Sequence, residues 1–315
     1  MIDFSEFDFT NPVYLTMTLV LLFLVAAHVL SYCLVKLNKI KSPEELLLRI
    51  KSWWWIIGLL FLSILSGLTA SIFLIGFISF LALKEYLSIV PTRQSDRRVI
   101  FWAYLTIPIQ YYLVSIHWYG LFNIFIPVYV FLVLSVRMVL TGKNSGFIHS
   151  VGVLHWGVML TVYSVSHVAY LLVLPIGDLL DTGFGLMLFL IMMTQLNDVC
   201  QYLFGKLLGR RKIIPAVSPN KTWAGFIGGV LSITLLSGFI GPFLTPMDVQ
   251  FSVLAGFVIA VTGFLGDVTI SSVKRDLQIK DSGQLLPGHG GILDRIDSLM
   301  FTAPLFFHFV RYFYG

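Results

Sequence analysis

The sequence predicts an all-α polytopic membrane protein of about ten transmembrane helices with no separate soluble domain. Three observations carry this. Hydrophobic residues fill 57% of the 315 positions and charged residues only 12%, where a soluble globular chain sits at roughly 45–50% and about 25%. Apolar runs recur from end to end, each near the roughly 20 residues a helix needs to cross a bilayer. The Lys and Arg residues gather in alternate gaps between runs, which puts nearly all of them on one side.

The first run, 13–36, follows a leader with Asp3, Glu6 and Asp8 and no positive segment. It is too long for a signal peptide and reads as a retained anchor. Runs 53–68 and 70–90 form a tight hairpin bent near Ser66-Gly67, with Trp53, Trp54 and Trp55 as an interfacial belt. Runs 99–117, 119–140 and 150–173 complete an N-terminal region, 1–182. The C-terminal region, 183–315, holds 183–205, 222–243, 249–271 and 292–313, and no connecting loop exceeds roughly 20 residues.

An acidic N-terminus on the outer side puts Lys39 to Lys51, Arg93 to Arg98, Lys143, Lys206 to Lys221 and Lys274 to Lys280 on the cytoplasmic side. Of the 21 Lys and Arg residues only Arg311 then points outward. The net charge of +5 is dispersed between spans, not gathered in one basic domain, so no nucleic-acid partner is expected. Cys33 and Cys200 both lie inside apolar runs and read as buried thiols, not as a disulfide or zinc site.

Chemistry concentrates in the C-terminal region. Between Ser271 and Asp297 the chain places Lys274, Arg275, Asp276, Lys280, Asp281, His289, Gly290, Gly291, Asp294 and Arg295. Cations suit phosphates, carboxylates suit a divalent metal, and a Gly pair lets backbone amides approach an anion. Asp267 and Ser271 share a face of the ninth span, and Asp294 and Asp297 share one at the start of the tenth. An excursion over 272–291 is expected to bring those two helix ends together. Two further places stand out. Ser218-Pro219-Asn220-Lys221-Thr222 offers hydroxyls and an ammonium at a helix start. Asn197-Asp198 puts a carboxylate inside the seventh span, where charge costs roughly 2.5–3.5 kcal/mol on insertion scales. Glu85, His117, His149, His155 and His167 have no local constellation and read as packing or interfacial residues.

At these residues the sequence resembles the CDP-diacylglycerol synthases, or phosphatidate cytidylyltransferases. Their signature is matched by Ser271, Lys274, Arg275, Lys280, Asp281, His289, Gly290, Gly291, Asp294, Arg295 and Asp297. Two upstream motifs appear in order: Asp198, Tyr202 and Gly205, with Lys206 in place of Arg, then Ser218, Pro219, Lys221, Thr222 and Gly225. Where many members carry Glu, this chain has Ala224.

The resemblance implies a nucleotidyltransferase of phospholipid biosynthesis that moves the cytidylyl group of CTP onto phosphatidic acid, releasing pyrophosphate. It implies Mg2+ held by Asp267, Asp294 and Asp281, and a monovalent cation such as K+. It assigns catalytic roles to Lys274, Arg275, Lys280, Asp281, His289, Arg295 and Asp297. Substrate contacts fall to Asp198, Ser218, Lys221, Thr222, Ser271, Gly290 and Gly291. It further implies a homodimer among membrane lipids in a bacterial inner membrane, with the site facing the cytoplasm. Two alternatives are a divergent member acting on another lipid phosphate, and a transporter using Asp198 and Asp267 as ion sites. A CDP-alcohol phosphotransferase is set aside because its Asp-Gly-x-x-Ala-Arg motif is absent.

Overall fold

The structure is a computed structural model that describes residues 11–36, 43–176, 179–283 and 290–315. Among them run ten helices and no sheet, joined by short turns, as the composition predicts. They are α1 (Pro12–Lys36), α2 (Pro43–Leu65), α3 (Leu68–Ile89), α4 (Arg97–Ser115), α5 (Tyr119–Val139), α6 (Phe147–Leu171), α7 (Leu179–Leu208), α8 (Trp223–Leu244), α9 (Val249–Asp276) and α10 (Leu293–Tyr314). Seven of these, α1, α3 and α5 to α9, are long and apolar enough to cross a membrane.

The breaks follow local chemistry. Gly67, at φ +93°, turns the chain between α2 and α3 where a side chain would be strained. Asp248 caps α9 by accepting from the Phe251 N–H at 2.9 Å, and Thr222 caps α8 by accepting from Gly225 N–H at 3.1 Å. α5 and α6 each contain a widened π-helical turn, at Phe125–Val130 and Met159–Ser164; Pro127, which has no amide hydrogen to donate, lies in the first. Arg93 grips Asp96 through two hydrogen bonds, at 2.7 and 2.9 Å, and donates to the carbonyls of Lys143 and Ser145. That staples the turn before α4 to the turn before α6.

Two boundaries differ most from the sequence reading. α2 starts at Pro43, about ten residues before the apolar run, because Pro and acidic residues suit a helix start even without hydrophobicity. α9 continues to Asp276, past the expected 271, so Lys274 and Arg275 lie on its last turn, where cations complement the helix dipole. Gln278, at φ +57°, marks the turn just beyond.

α7, α8 and α9 pack through small residues, as helices in lipid do. A Cβ on Gly225 would lie 2.6 Å from the Gln201 carbonyl, and one on Gly229 2.5 Å from Gln201 Cγ. On the other side of α8, Gly241 meets Ser252 and Gly256 meets Ser237. α10 closes the bundle and joins it to the N-terminal helices through buried Phe307, Phe122 and Tyr170, with Arg311 stacked 3.7 Å over Tyr119. A surface groove of about 630 Å³ lies between α1 and α2, lined by His28, Lys51, Trp54 and Trp55 and by none of the residues that carry the acidic cluster below. Cys33 and Cys200 are both free thiols, but Cys33 is exposed and Cys200 half-buried, which corrects the reading of both as buried.

Candidate functional site: two linked acidic clusters at one end of the bundle

Three carboxylates converge where α7, α9 and α10 meet. Asn197, fully buried, donates to the Ala260 carbonyl at 3.1 Å and fixes α7 against α9. That holds the next residue, Asp198, against α10, where its two oxygens accept from Ser298 Oγ at 3.3 and 3.2 Å. Gly266 lets the Asp297 carbonyl come so close to α9 that a Cβ would sit 2.6 Å from it. Asp267, next along α9, accepts from Ser271 Oγ at 3.2 Å and pairs with Lys221. Lys221 also donates to Gln201 Oε1 at 3.2 Å. Asp198, Asp267 and Asp297 all lie within electrostatic reach of one another and of Lys221, and Arg295 acts on Asp198.

Next to it is a second cluster around Asp294. Its Oδ1 accepts from Lys274 Nζ at 2.7 Å, and its Oδ2 accepts from the backbone N–H groups of Ser282 at 2.9 Å and Gly291 at 3.0 Å. Lys274 and Asp294 are both largely buried, so the contact is a charge-assisted hydrogen bond shielded from water, and both Asp294 oxygens are occupied. Gly290 adopts φ +78°, and a Cβ there would lie 2.6 Å from Asp294 Oδ2. Only glycine tolerates both the backbone angle and that approach.

Glu85, near the end of α3, reaches the same place from the N-terminal half. It accepts from Ser282 Oγ at 2.5 Å, from Ile292 N–H at 2.8 Å and from Leu293 N–H at 3.0 Å. Reading Glu85 as a packing or interfacial residue is therefore corrected: it caps the N-terminus of α10 from a helix about 200 residues away in sequence. The signal available was an ionisable residue near the end of an apolar span, which needs a partner. Ser282 and Ser298 were likewise not singled out; neither belongs to a charge pattern.

The Ser218–Thr222 segment forms a compact turn. Lys212 and Thr222 pair as an antiparallel bridge, Ile213 N–H donates to the Lys221 carbonyl, and Trp223 N–H to the Arg211 carbonyl. Arg275 ties this turn to α9 by donating to the Val217 carbonyl at 3.1 Å, with a second donation to Ile279 at 3.3 Å. The turn thereby delivers Lys221 to Asp267 and buries Thr222 beneath Gly205 and Gly209.

The structure thus gathers Asp198, Lys221, Asp267, Ser271 and Asp297 in one cluster and Lys274, Gly291 and Asp294 in its neighbour. The expected meeting of the α9 and α10 ends occurs. Asp294, however, spends its oxygens on Lys274 and two backbone amides, and it is Asp297 that faces Asp267. The Gly291 amide already serves Asp294. Lys280 and Asp281 are exposed, with Asp281 Cβ 3.5 Å from where a Cβ on Gly290 would lie; Ser218 is half-buried. His289 lies outside the described residues.

A divalent cation fits this donor chemistry. Among the described residues no three His, Cys, Asp or Glu side chains form a metal cage by themselves. Mg2+ ordinarily takes only one or two carboxylates and completes its shell with water and substrate phosphates, and Asp198, Asp267 and Asp297 supply carboxylates of that kind around Lys221.

A family model described as the cytidylyltransferase family matches residues 47–313. The chain belongs to the cytidylyltransferase family. Membership makes it a nucleotidyltransferase and an integral membrane protein by kind, in agreement with its apolar helices. It is 46% identical over 298 residues to an uncharacterized protein of Escherichia coli K12, YnbB, covering 94% of this chain and 97% of that one. It is 44% identical over 124 residues to the phosphatidate cytidylyltransferase of Staphylococcus epidermidis and 42% identical over 125 residues to that of Staphylococcus aureus. Each of those matches covers 39% of this chain and 48% of the relative, so the chain spans about half the length of these synthases.

Proposed function

We propose that the protein transfers the cytidylyl group of CTP to phosphatidic acid, giving CDP-diacylglycerol and pyrophosphate for phospholipid biosynthesis. The observation that carries this is the pair of acidic clusters, each with its own lysine, in a member of the cytidylyltransferase family. Its relatives named phosphatidate cytidylyltransferase support the lipid substrate. In this reading a lipid phosphate oxygen attacks the α-phosphorus of CTP. A new P–O bond forms, the bond to the β-phosphate breaks, and pyrophosphate leaves without a covalent enzyme intermediate.

Asp267 and its neighbours Asp198 and Asp297 would hold Mg2+, with Asp294 and Asp281 beside them; bound there, the ion would neutralise charge on the triphosphate. Lys221, Lys274, Arg275, Lys280 and Arg295 supply positive charge for the phosphates. The Glu85 and Asp294 carboxylates hold the start of α10, and Arg275 holds the 209–222 turn, so reactants meet a preset frame. The site faces the cytoplasm, where CTP is, in a bacterial inner membrane. The lipid enters sideways with its chains among the helices, the working unit is a homodimer, and a monovalent cation such as K+ assists.

Purified protein given CTP, Mg2+ and a panel of lipid phosphates tests this by pyrophosphate release. Release that depends on phosphatidic acid supports it. Release only with another lipid phosphate would assign the chain to a different substrate, and none with any lipid would overturn the enzymatic reading.

A further inference from the structure

Most of the contacts that shape the start of α10 come from residues near it in sequence; Glu85 does not. It stands on α3, within residues 47–313 that the family model matches but about 200 positions before the helix it caps. Its two oxygens take the Ile292 and Leu293 amides, two of the donors that a helix N-terminus leaves without intrahelical partners. The same carboxylate takes the Ser282 hydroxyl. Ser282 in turn gives its backbone N–H to Asp294, and Gly291 gives its own to the same oxygen. One carboxylate from α3 and one from α10 therefore clamp both the chain at Ser282 and the turn at Gly291–Leu293. The fit is close: a Cβ on Gly291 would collide with Glu85 Oε1 and Ser282 Oγ, and one on Gly283 would lie 3.0 Å from Glu85 Oε2.

We infer that Glu85 is a positioning residue for cytidylyl transfer: by capping α10 from outside, it fixes the register at which Asp294 and Asp297 meet α9. It touches none of the three clustered carboxylates directly and acts through the backbone of 291–293 and through Ser282. This rests on the proposed activity for its rate readout, but the cap itself does not. A helix start that is capped by a carboxylate in a low-dielectric setting is rigid and its amides are protected. Without that cap, Asp294, the next residue along α10, and Asp297, one turn further, lose their fixed height against Lys274 and Lys221. Outer partners of ligand groups commonly shift affinity or rate by roughly 10–100-fold.

The test compares wild type with Glu85→Gln, which keeps size but presents an NH2 group to at least one donor, and with Ser282→Ala, which removes one contact only. Three quantities are read: hydrogen exchange in peptides spanning 290–297, Mn2+ binding by electron paramagnetic resonance, and kcat with the Mg2+ concentration for half-maximal rate. E85Q is expected to speed exchange at 291–293 by about tenfold or more, weaken Mn2+ binding about tenfold, and lower kcat roughly 10–100-fold with a raised Mg2+ requirement. S282A is expected to move each in the same direction by less. If exchange is unchanged in E85Q, or if it rises while Mn2+ binding stays within twofold of wild type, the positioning role is wrong. Should wild type fail to use any lipid phosphate, the proposed activity falls, while the exchange and Mn2+ results still decide the role of Glu85. If E85Q does not fold, S282A carries the decision on the same readouts.

Discussion

Lys221 is the lysine that pairs directly with Asp267 in the Asp198–Asp267–Asp297 cluster, so replacing it with Met tests what that charge does. Met keeps the stem that lies over Phe264, where the ammonium stands 5.6 Å from the ring centre. What is lost is the ion pair with Asp267 and the hydrogen bond to Gln201. Removing one partner of a buried pair costs about 3–5 kcal/mol, because the other charge stays behind unpaired. Here both side chains are about one-fifth exposed, at 19% and 21%, which places the loss at the lower end, about 3 kcal/mol. At roughly 2 °C per kcal/mol for a larger chain, that is a fall of about 6 °C in Tm. The sign of the metal response follows: with the ammonium gone, a divalent cation no longer competes for Asp267, so Mg2+ should stabilise the variant more than wild type. Thermal unfolding in detergent, with and without millimolar Mg2+, reads both effects. A Tm within about 1 °C of wild type, or an Mg2+ response no larger than that of wild type, would refute the reasoning.

Other positions give sharper local tests. Thr222→Val keeps the buried shape but removes the cap on α8, and should cost about 1 kcal/mol, read as a lowered Tm. Gly229→Ala forces a methyl against Gln201 and Asn197 in the α7–α8 seam; the expected cost is about 1–3 kcal/mol, with a fall in activity because Gln201 also holds Lys221. Lys274→Met leaves Asp294 with two backbone donors and no cation, and kcat/KM for CTP should fall about a hundredfold, measured by pyrophosphate release.

How much of this was readable from the sequence depends on how local the signal is. The ten helices are set by apolar runs and by caps such as Thr222 and Asp248, all within a few residues of the boundary they mark. The start of α2 was missed because its first turns are charged, and hydrophobicity is silent there. The end of α9 was placed early because Lys274 and Arg275 read as loop, although nothing between Ser271 and Asp276 breaks a helix. Lys221, Asp267 and Asp297 are each visible as polar residues near span ends, and Asp198 as a carboxylate inside a span. Their sorting was not: whether Asp294 or Asp297 faces Asp267 depends on Gly266 admitting the α10 backbone and on Lys274 claiming Asp294. Glu85 illustrates the limit, since a lone carboxylate whose partners lie some 200 positions away leaves no spacing to read.

The most direct test follows the phosphorus atoms themselves. Purified protein with Mg2+ and phosphatidic acid is given CTP labelled at either the α- or the γ-phosphate, and the lipid and aqueous phases are separated. The α-label is expected to move into the lipid phase and the γ-label to leave as pyrophosphate, in equal amounts. Lipid labelled from the γ-position, or no lipid labelled from the α-position with any lipid phosphate, would contradict it.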